Sequence, residues 1–463
     1  MKIYVVKNNR LLGVLEEKNN LFYFSYEDDI KLTGYLLGLK NKENESDELF
    51  PIFENLIPES EIVSSIKHEH GIRNIIGILL HLSNNNGSFE FYNKKDFEAL
   101  TLIENEIVAY ESVKDEVLQS KYTYPNILKD YSFVNIEDNK LHPKELNKLA
   151  QDSAIGLSGV QYKFAVSLDH KKKEIQFTDN KNDLYFIKPY NKHRCTFKRR
   201  GNNDNYIPYL LINEHLFMTM ARDFGFDIPY NAIIKEGVDY HYIIKRYDNY
   251  AGIKFDHTDF LTFIGKASKY KYDIKFNELK EHVFDLINED DTLELYKFLV
   301  FSVIIGHGDL HAKNLSLIYK SSSLYEKELR LSPFYDIATT KIYGKNVDSR
   351  DIGLNIASRV KKFFNRKDLI EVAGKMTINK TLAESIIDEY ALRFLNNFKN
   401  LYVDTLSNEI KSLPFYRLKG YGRSDTLEVV LLRYLENRKK DIKKYLDVEI
   451  KKEEKTTAQM LFE

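Results

Sequence analysis

The sequence predicts an α+β protein with an N-terminal α/β domain, a strand-rich lobe and a largely helical C-terminal lobe. Its 463 residues are too many for one ordinary core, because domains of about 150 residues are usual. The chain carries 29 Phe and 32 Tyr, which supply apolar material for several cores. Strand-like patterns dominate its first half and helical patterns its second. We place the three units at residues 1–125, 145–250 and 251–463.

Composition excludes several classes of protein. The net charge is −1, from 68 basic and 69 acidic residues, so the chain as a whole has no strong attraction for nucleic acid. The single cysteine, Cys195, excludes an internal disulfide and a cysteine-based zinc site. The longest apolar run, Phe298–Gly306, is far shorter than the roughly 20 residues that span a bilayer. We therefore expect a cytoplasmic protein without a membrane partner.

The N-terminal domain is predicted to open with three short strands separated by Asn-rich turns. These strands are Lys2–Val6, Leu11–Leu15 and Leu21–Tyr26. Ile72–Leu82 is predicted as a helix, because an Asn-rich turn closes it, and Ser88–Tyr92 is predicted as a strand. A polar segment from Tyr124 to Pro143 is predicted to link this domain to the next.

The second unit is predicted as a group of strands followed by a helix. Its first strands are Tyr162–Leu168, Glu174–Phe177 and Leu184–Lys188, with a charged turn at Asp169–Lys173. A helix from about Tyr206 to Asp223 follows, ended by Gly225, and a further strand runs from Tyr242 to Tyr247. The rest of the chain is predicted to be mostly helical.

The most specific motif is Gly306–Asn314, with the sequence GHGDLHAKN. It follows Phe298–Ile305, which is apolar on every side and predicts a buried helix. Two strands, Leu315–Tyr319 and Leu329–Phe334, follow the motif and are predicted to form a hairpin. In an antiparallel hairpin the residues before the first strand and after the second lie side by side. Asn314 is therefore predicted to lie beside Asp336.

This arrangement is typical of Mg²⁺-assisted phosphoryl transfer. Asp309, five residues before Asn314, would accept the proton of the attacking hydroxyl. Asn314 and Asp336 offer hard oxygen ligands, which suit Mg²⁺ better than zinc. The alternative is a plain polar turn in which His311 caps a helix.

A second constellation pairs Lys188 with Glu214. Lys188 ends a predicted strand, and Glu214 lies in the middle of the apolar stripe of the next helix. A carboxylate on a buried face needs a partner, and a Lys–Glu pair near nucleotide phosphates is a kinase feature. The alternative is a Glu214 side chain displaced to the edge of the stripe and solvated.

A third, weaker signal is the segment Gly156–Lys163. Its two glycines and its serine could let backbone N–H groups approach phosphate oxygens. Taken alone, the segment is better explained as a plain turn, but the nucleotide interpretation gains weight because the segment precedes the strand that carries Lys188, as a nucleotide-covering loop should. It does not match the Walker motif, so a P-loop NTPase is not expected.

The order of these motifs resembles the HipA family of bacterial toxin serine/threonine kinases. The resemblance is carried by Gly159–Lys163, Phe186–Pro189, Asn213–Glu214, Lys245–Asp248, Gly308–Asn314 and Pro333–Ile337. Pro51–Glu59 also resembles the family's N-terminal domain, so the similarity runs through most of the chain.

The resemblance implies a two-lobed, protein-kinase-like fold that transfers the γ-phosphate of ATP, with Mg²⁺, to serine or threonine. Members of the family are toxins of type II toxin–antitoxin pairs, restrained by a HipB-like helix-turn-helix antitoxin that binds operator DNA. Family targets are aminoacyl-tRNA synthetases, whose phosphorylation slows translation and causes growth arrest or persistence. The implied partners are therefore an antitoxin, a protein substrate, and DNA reached mainly through the antitoxin.

The resemblance also assigns residues to the site. Asp309, His311 and Lys313 are expected to be catalytic, and Asn314 and Asp336 are expected to hold the metal. The residues expected to contact ATP are Ser158, Gly159, Val160, Gln161, Tyr162, Lys163, Lys188, Glu214, Lys245, Tyr247, Asn314 and Asp336.

The sequence departs from the family pattern at two positions. Gly156 stands where the family has its autophosphorylated serine, which leaves Ser158 as the candidate for autophosphorylation. His307 stands where the family usually has asparagine, and the segment His307–His311 also resembles aminoglycoside and choline phosphotransferases.

Two other functions therefore stay open. One is a phosphotransferase acting on a small hydroxylated molecule. The other is a non-enzymatic, nucleotide-sensing component of an antitoxin–DNA complex. The intact set of Lys188, Asp309, Asn314 and Asp336 argues against the second, because a pseudo-kinase commonly lacks one of them.

Overall fold

The protein is described from a computed structural model. The residues described are 1–27, 38–57, 60–83, 87–103, 106–136, 154–155, 163–177, 184–190, 207–236, 239–347, 350–357, 361–415, 422 and 424–449. Most of the predicted nucleotide loop, residues 156–162, lies outside this set. In the described part of the chain, no helix is both long enough and apolar enough to cross a membrane.

The N-terminal region forms an antiparallel five-stranded sheet in the order β4-β3-β2-β1-β6. Its strands are β1 (Lys2–Lys7), β2 (Arg10–Lys18), β3 (Leu21–Tyr26), β4 (Glu43–Ser46) and β6 (Phe89–Tyr92), and β5 (Leu82–Ser83) lies apart from it. Asn8 and Asn9 both have positive φ in the β1–β2 turn, as do Asn19 and Asn20 in the next. Two such residues make the turn whose twist suits a tight hairpin, which explains the Asn-rich joints. The three strands predicted at the N-terminus are confirmed.

The helix predicted at Ile72–Leu82 is wrong in position and type. The helices of this region are α1 (Pro51–Glu54), α2 (Ser60–His70), α3 (Lys94–Glu98) and α4 (Tyr110–Leu118). Within the predicted range, only Ile76–His81 is helical, as a 3₁₀ segment in which Ile76, Ile78 and Leu79 are buried. Gly71, at φ +61°, stops α2 before this segment begins. The apolar side chains of this short connection are buried on several of its sides. From periodicity alone, such a run cannot be distinguished from a buried helix.

A seven-stranded sheet follows, in the order β7-β13-β14-β12-β10-β11-β8. The strands of this region are β7 (Ile127–Leu128), β8 (Ser132–Val134), β9 (Ala154–Ile155), β10 (Phe164–Asp169), β11 (Glu174–Phe177), β12 (Tyr185–Lys188), β13 (Asn231–Glu236) and β14 (Asp239–Lys245). The charged turn between β10 and β11 is confirmed, and Asp169 Oδ1 accepts the Lys171 and Lys172 N–H groups at 2.9 and 3.0 Å.

The segment predicted as a linker, Tyr124–Pro143, instead contributes both edge strands of this sheet. β7 pairs in parallel with β13, and β8 pairs in parallel with β11. These strands have two and three residues, too few to show the alternation that marks a strand in a sequence.

The helix α5 (Leu210–Asp223) connects the two lobes. Every residue from Leu211 to Ala221 is buried, and Gly225, at φ +101°, follows its end, as predicted. Its apolar side chains share one core with the helices of the C-terminal lobe. A helix placed by sequence in the second unit therefore packs with the third. The boundaries 1–125, 145–250 and 251–463 stay a prediction.

The C-terminal lobe is mostly helical and carries a three-stranded sheet, β17-β18-β19, next to the GHGDLHAKN motif. Its strands are β15 (Asn249–Tyr250), β16 (Ile253–Lys254), β17 (His257–Asp259), β18 (Ser316–Tyr319) and β19 (Leu329–Leu331). Its helices are α6 (Phe260–Phe263), α7 (Phe276–His282), α8 (Glu289–Ile305), α9 (Arg366–Lys375), α10 (Lys380–Asn397), α11 (Asn408–Lys411) and α12 (Leu427–Asp441). The predicted buried helix is the second half of α8, since Phe298–Ile305 is buried throughout.

Candidate active site

The GHGDLHAKN motif forms a compact loop (306–314) after the C-terminal end of α8, which we call the catalytic loop because it carries Asp309, the predicted base. Gly306 caps the helix at φ +68°, and a Cβ at this position would collide with the Lys341 side chain. The loop closes on itself, because the His311 N–H donates to Asn314 Oδ1 at 3.1 Å and the Asn314 N–H donates to His311 O at 2.9 Å. These two hydrogen bonds hold the end of the loop in one conformation, with Asp309 just before it and the hairpin just after it.

The predicted hairpin brings the end of the catalytic loop to the segment around Asp336. β18 pairs antiparallel with β19, with Leu317 opposite Leu331. Beyond the strands, the Tyr335 hydroxyl donates to Lys313 O at 3.0 Å. The Tyr335 side chain thus ties the segment just before Asp336 to the residue just before Asn314.

Four charged side chains form a compact cluster at the base of a cleft. Lys188 Nζ lies 2.6 Å from Glu214 Oε1 and also contacts Asp336 Oδ1. Lys163 Nζ lies 3.4 Å from Asp336 Oδ2. Lys188 and Glu214 are only 4% exposed, so the two elements that carry them, β12 and α5, bury the pair that the sequence predicts. We call Lys163, Lys188, Glu214 and Asp336 the charge cluster.

The pKa values of the cluster follow from burial and from these contacts. Burial raises the pKa of Glu214 to about 7, although the Lys188 ammonium opposes the shift. Burial alone would lower the pKa of Lys188, but the carboxylates of Asp336 and Glu214 raise it above its ordinary value. Burial would raise the pKa of Asp336, but Lys163 and Lys188 hold it well below its usual range. Asp336 and Lys188 are therefore ionised at neutral pH.

Two histidines of the catalytic loop add no positive charge to the site. Burial lowers the pKa of His307 to about 4, with the Asp336 carboxylate opposing the shift. Burial also holds the pKa of His311 well below its ordinary value, and the nearby Lys271 ammonium contributes to this. Both imidazoles are neutral at pH 7.

A cleft runs from the charge cluster to the segment that joins the lobes. Its lining includes eleven residues: Lys163, Phe186, Lys188, Ile244, Lys245, Arg246, Tyr247, Asp248, His257, Tyr335 and Asp336. Lys245 and Tyr247, both expected to contact ATP, line the cleft in the segment between the lobes, which we call the hinge, although the Lys245 ammonium donates to Glu116 O at 2.7 Å. Five of the predicted nucleotide contacts therefore line the cleft, namely Lys163, Lys188, Lys245, Tyr247 and Asp336, while Glu214 lies behind Lys188.

Sequence reasoning missed the side chains that shape the hinge end of the cleft. Arg246 is buried, forms a two-point ion pair with Asp248 at 2.9 and 2.8 Å, and lies 4.5 Å from the centre of the Phe186 ring. Tyr335 stacks on Tyr247 with ring centres 5.8 Å apart. The motif Lys245–Asp248 was available as a signal, since an Arg and an Asp two residues apart at a strand end suit a local ion pair.

The remaining predicted residues fall into three groups. Ser158, Gly159, Val160, Gln161 and Tyr162 lie outside the described residues. Asp309 is exposed and accepts a hydrogen bond at Oδ1 from the Tyr272 hydroxyl at 2.5 Å. His311 and Lys313 support the loop: the His311 ring meets the edge of Tyr272, and Lys313 reaches into the N-terminal domain.

Lys313 has contacts that differ from those expected of a catalytic lysine. Its buried ammonium donates to Asn55 O at 3.2 Å and to Ser268 Oγ at 3.1 Å. These partners lie on the N-terminal domain and on the connection after α6, and neither lines the cleft. The contacts are those of an anchor for the catalytic loop.

The donor chemistry of Asn314 and Asp336 suits Mg²⁺. One supplies an amide oxygen and the other an ionised carboxylate, which are hard ligands for a hard cation. The described residues contain no group of three or more His, Cys, Asp or Glu side chains placed to bind a metal. A metal at this site would therefore need further oxygen ligands, as Mg²⁺ bound to nucleotide phosphates has.

Comparison with known sequences gives a family. The signature of the HipA-like C-terminal domain matches residues 155–398, which is more than half of the chain. A Sinorhizobium fredii protein named as a candidate kinase, Y4dM, is 28% identical over 229 residues, covering 44% of this chain and 54% of its own length. A candidate kinase of Haemophilus influenzae is 23% identical over 205 residues, covering 38% and 58%. The chain thus spans about half the length of the curated relatives it matches.

Comparison with solved structures gives the fold. HipA of Shewanella oneidensis MR-1, solved with HipB and operator DNA, aligns with a TM-score of 0.61 at 15% identity. The alignment covers 97% of this chain and 100% of that one. The α+β, two-lobed, kinase-like fold with an added N-terminal domain is therefore confirmed. With the domain signature in the sequence, it follows that this chain belongs to the HipA family.

Proposed function

We propose that this protein is an ATP- and Mg²⁺-dependent serine/threonine protein kinase. The observation that carries the proposal is the charge cluster, in which Lys188 bridges Glu214 and Asp336 at the base of a cleft. A lysine held by a helix glutamate, beside an ionised aspartate, is the arrangement that kinases use to grip nucleotide phosphates.

The proposed reaction divides its work among few side chains. Asp309 accepts the proton of the acceptor hydroxyl as the acceptor oxygen forms its bond to Pγ. The bond between Pγ and the bridging oxygen breaks, and ADP leaves with the electron pair. Lys188 orients the phosphates, and the hinge around Lys245 and Tyr247 binds the adenine ring of ATP. Asn314 and Asp336 would hold Mg²⁺, which supplies neutralisation of phosphate charge.

The proposed physiological role is that of a cytoplasmic HipA-like toxin neutralised by a HipB-like antitoxin. The Shewanella protein that shares the fold was solved with HipB and operator DNA, which supports the same kind of partner here. The substrate would be a protein, by resemblance an aminoacyl-tRNA synthetase, and its phosphorylation would cause growth arrest or persistence. Ser158 is the proposed site of autophosphorylation, in place of the serine that Gly156 replaces.

The test is transfer of labelled phosphate from ATP to proteins of a bacterial lysate, comparing wild type with Asp309→Asn. Asp285→Asn, at an exposed aspartate that does not line the cleft, is the matched control. We expect a discrete labelled protein in wild type and control, and a loss of at least 100-fold without the base. Equal labelling by Asp309→Asn would overturn the assignment of the base.

The same assay separates protein kinase from small-molecule phosphotransferase. ATP consumption that requires Asp309, without any labelled protein, would favour a small hydroxylated acceptor. ATP binding without any turnover would instead favour the nucleotide-sensing alternative.

A further inference from the structure

The segment after the 3₁₀ turn Ser268–Tyr270 is docked on the catalytic loop by three separate contacts. The Tyr272 hydroxyl donates to Asp309 Oδ1 at 2.5 Å. The Ala312 N–H donates to the carbonyl of Lys271 at 3.3 Å. The Tyr272 ring also meets the His311 ring edge-on, with centres 5.1 Å apart. Side chain, backbone and ring thus all place Tyr272 beside the proposed base.

The position of the Tyr272 ring is fixed from its other sides. The Arg350 guanidinium and the Lys271 ammonium lie 5.6 and 5.5 Å from the ring centre, a distance at which cations are attracted to an aromatic face. Gly353 packs close to the same site: a Cβ there would lie 2.9 Å from the carbonyls of Gly308 and Leu310 and 3.1 Å from Tyr272 Cε1. Since no side chain fits at Gly353, the ring and the loop pack against bare backbone.

We infer that Tyr272 is a positioning residue for phosphoryl transfer, whose hydroxyl orients the Asp309 carboxylate. The inference rests on the proposed function, because it gives Asp309 the role of base. Asp309 is exposed, so packing alone does not hold its side chain in one rotamer. A short hydrogen bond from a hydroxyl to a carboxylate is among the stronger ones, and it fixes the plane of the acceptor. A misplaced base costs rate without weakening nucleotide binding.

The test compares Tyr272→Phe with Tyr270→Phe. The first variant keeps the ring between its two cations and removes only the hydroxyl. The second removes the hydroxyl of a tyrosine two residues earlier that is 42% exposed, and it serves as the matched control. Initial rates of label transfer to the lysate protein are measured over a range of ATP concentrations, in the full chain.

We expect Tyr272→Phe to lower the rate at saturating ATP about tenfold, while the ATP concentration for half-maximal rate stays within twofold. The control should match wild type in both. In the Asp309→Asn background, Tyr272→Phe should have no further effect, because the group that it orients is gone. A purely structural role would lower the melting temperature and the rate together, in either background.

Two outcomes would overturn the inference. A rate for Tyr272→Phe within twofold of wild type leaves the kinase assignment in place and removes the positioning role. Additive losses in the double variant show that the hydroxyl acts elsewhere than on Asp309. Failure of the proposed function has a different signature, since wild type itself would then show no transfer that depends on Asp309, and the inference would fall with it.

Discussion

At the scale of single residues, the charge cluster combines two ammonium groups with two carboxylates in a largely dehydrated place. Lys188 and Glu214 are almost fully buried, so each depends on the other for the stability of its charged form. Asp336 is better solvated and contacts a second lysine, Lys163. Loss of the Lys188 ammonium would disfavour the charged form of Glu214 most, because burial already raises the pKa of Glu214 to about 7 and Asp336 would still contact Lys163.

We predict that Lys188→Met weakens binding of MgATP at least tenfold and lowers the free energy of unfolding by about 3 kcal/mol, because it leaves Glu214 buried without a partner. Calorimetry measures the first quantity and urea denaturation the second. The double variant Lys188→Met/Glu214→Gln should recover most of the lost stability but none of the affinity. A double variant no more stable than Lys188→Met would show that Glu214 tolerates burial without the lysine.

Contacts between single side chains could be predicted only where the sequence pattern leaves a buried group with one plausible partner. The pairing of Lys188 with Glu214 follows from one buried carboxylate on a helix and one lysine on the strand before it. The contact of Lys163 with Asp336 spans 173 residues and depends on how two irregular segments pack. The contact of Tyr272 with Asp309 likewise joins two loops, which carry no periodic signal in the sequence.

At the scale of secondary-structure elements, the end of α8 shows how a helix can hold a functional loop. Its last carbonyls have no partner within the helix. Arg438 donates to Val303 O and Ile304 O at 2.7 and 2.8 Å, and Tyr434 and Thr339 donate to Ile305 O. The helix is therefore tied at its last turn to α12 and to the segment after Asp336. Side chains distant in sequence thus fix where the catalytic loop starts.

The helix α5 is fixed in a similar way, through His215. Its Nε2 accepts the Asn126 N–H at 3.0 Å, and Nδ1 lies 2.6 Å from Asn231 Oδ1, which makes Nδ1 the donor of a neutral ring. Burial lowers the pKa of His215 to about 4. The imidazole thus joins α5 to the residue before β7 and to the first residue of β13 only while it is uncharged.

We predict that His215 makes the protein less stable in acid. An unfolded histidine has a pKa of about 6.5, so between about pH 6.5 and 4 the unfolded chain holds one more proton than the folded one. The free energy of unfolding should therefore rise with pH across this window, by at most about 1.4 kcal/mol per pH unit for this group.

Urea denaturation at pH 5 and pH 7 checks this expectation. His215→Gln should reduce the difference in stability between the two pH values, and His68→Gln, at an exposed position of α2, should leave it as in wild type. Other buried histidines add their own dependence, so the comparison is between each variant and wild type. The same pH difference in His215→Gln as in wild type would contradict the prediction.

Elements were predictable in proportion to their length and regularity. The N-terminal strands are six to nine residues long and are joined by Asn pairs that adopt positive φ, and all three were found as predicted. The strands β7 and β8 are too short for any alternation and take their order from neighbours in the sheet. The helix predicted at Ile72–Leu82 was wrong although the run is long, because tertiary packing on several sides, and not one helical face, buries its apolar residues.

At the scale of the whole molecule, the N-terminal domain is attached to both parts of the site by buried polar contacts. Asp256 pairs with Lys7 at 2.7 Å and accepts two hydrogen bonds from Ser88. Asp248, the partner of Arg246 at the hinge, also accepts the Gly87 N–H at 3.2 Å. These contacts connect the first sheet to the residues that line the cleft.

A second attachment reaches the catalytic loop through Asn55. Its side-chain amide donates to Thr262 Oγ1 at 2.8 Å and to Lys266 O at 3.0 Å. Its backbone carbonyl accepts a hydrogen bond from the Lys313 ammonium. We predict that Asn55→Ala loosens this attachment at a cost of about 1–2 kcal/mol, because it removes one hydrogen bond to the buried Thr262 hydroxyl and one to the half-buried Lys266 carbonyl.

Hydrogen–deuterium exchange checks the prediction for Asn55→Ala. Amides of the segments 260–268 and 309–315 should exchange faster, and the rate of phosphoryl transfer should fall a few-fold while nucleotide affinity stays unchanged. Asn41→Ala, at an exposed position of the same domain, is the control. Faster exchange confined to the N-terminal domain would mean that the domain does not brace the loop.

The predictable part of the architecture is its class and its motifs, and the unpredictable part is how the units join. Periodicity and the hairpin were enough for an α+β fold with Asp309 at the end of a buried helix, and the family resemblance carried by the motif order implied the two lobes. The sharing of α5 with the C-terminal core and the docking of the N-terminal sheet depend on contacts between residues hundreds of positions apart. Such contacts leave no local trace in one sequence.

The capping of α8 and the pairing of Asp256 limit how far this protein could be shortened. The family signature ends at residue 398, before Tyr434 and Arg438, and begins after Lys7. A chain shortened to residues 155–398 would keep every proposed catalytic group. It would, however, lack the side chains of α12 that bind the last carbonyls of α8, and the buried Asp256 would lose its ion pair with Lys7. The signature therefore marks a recognisable stretch of sequence and not an autonomous enzyme.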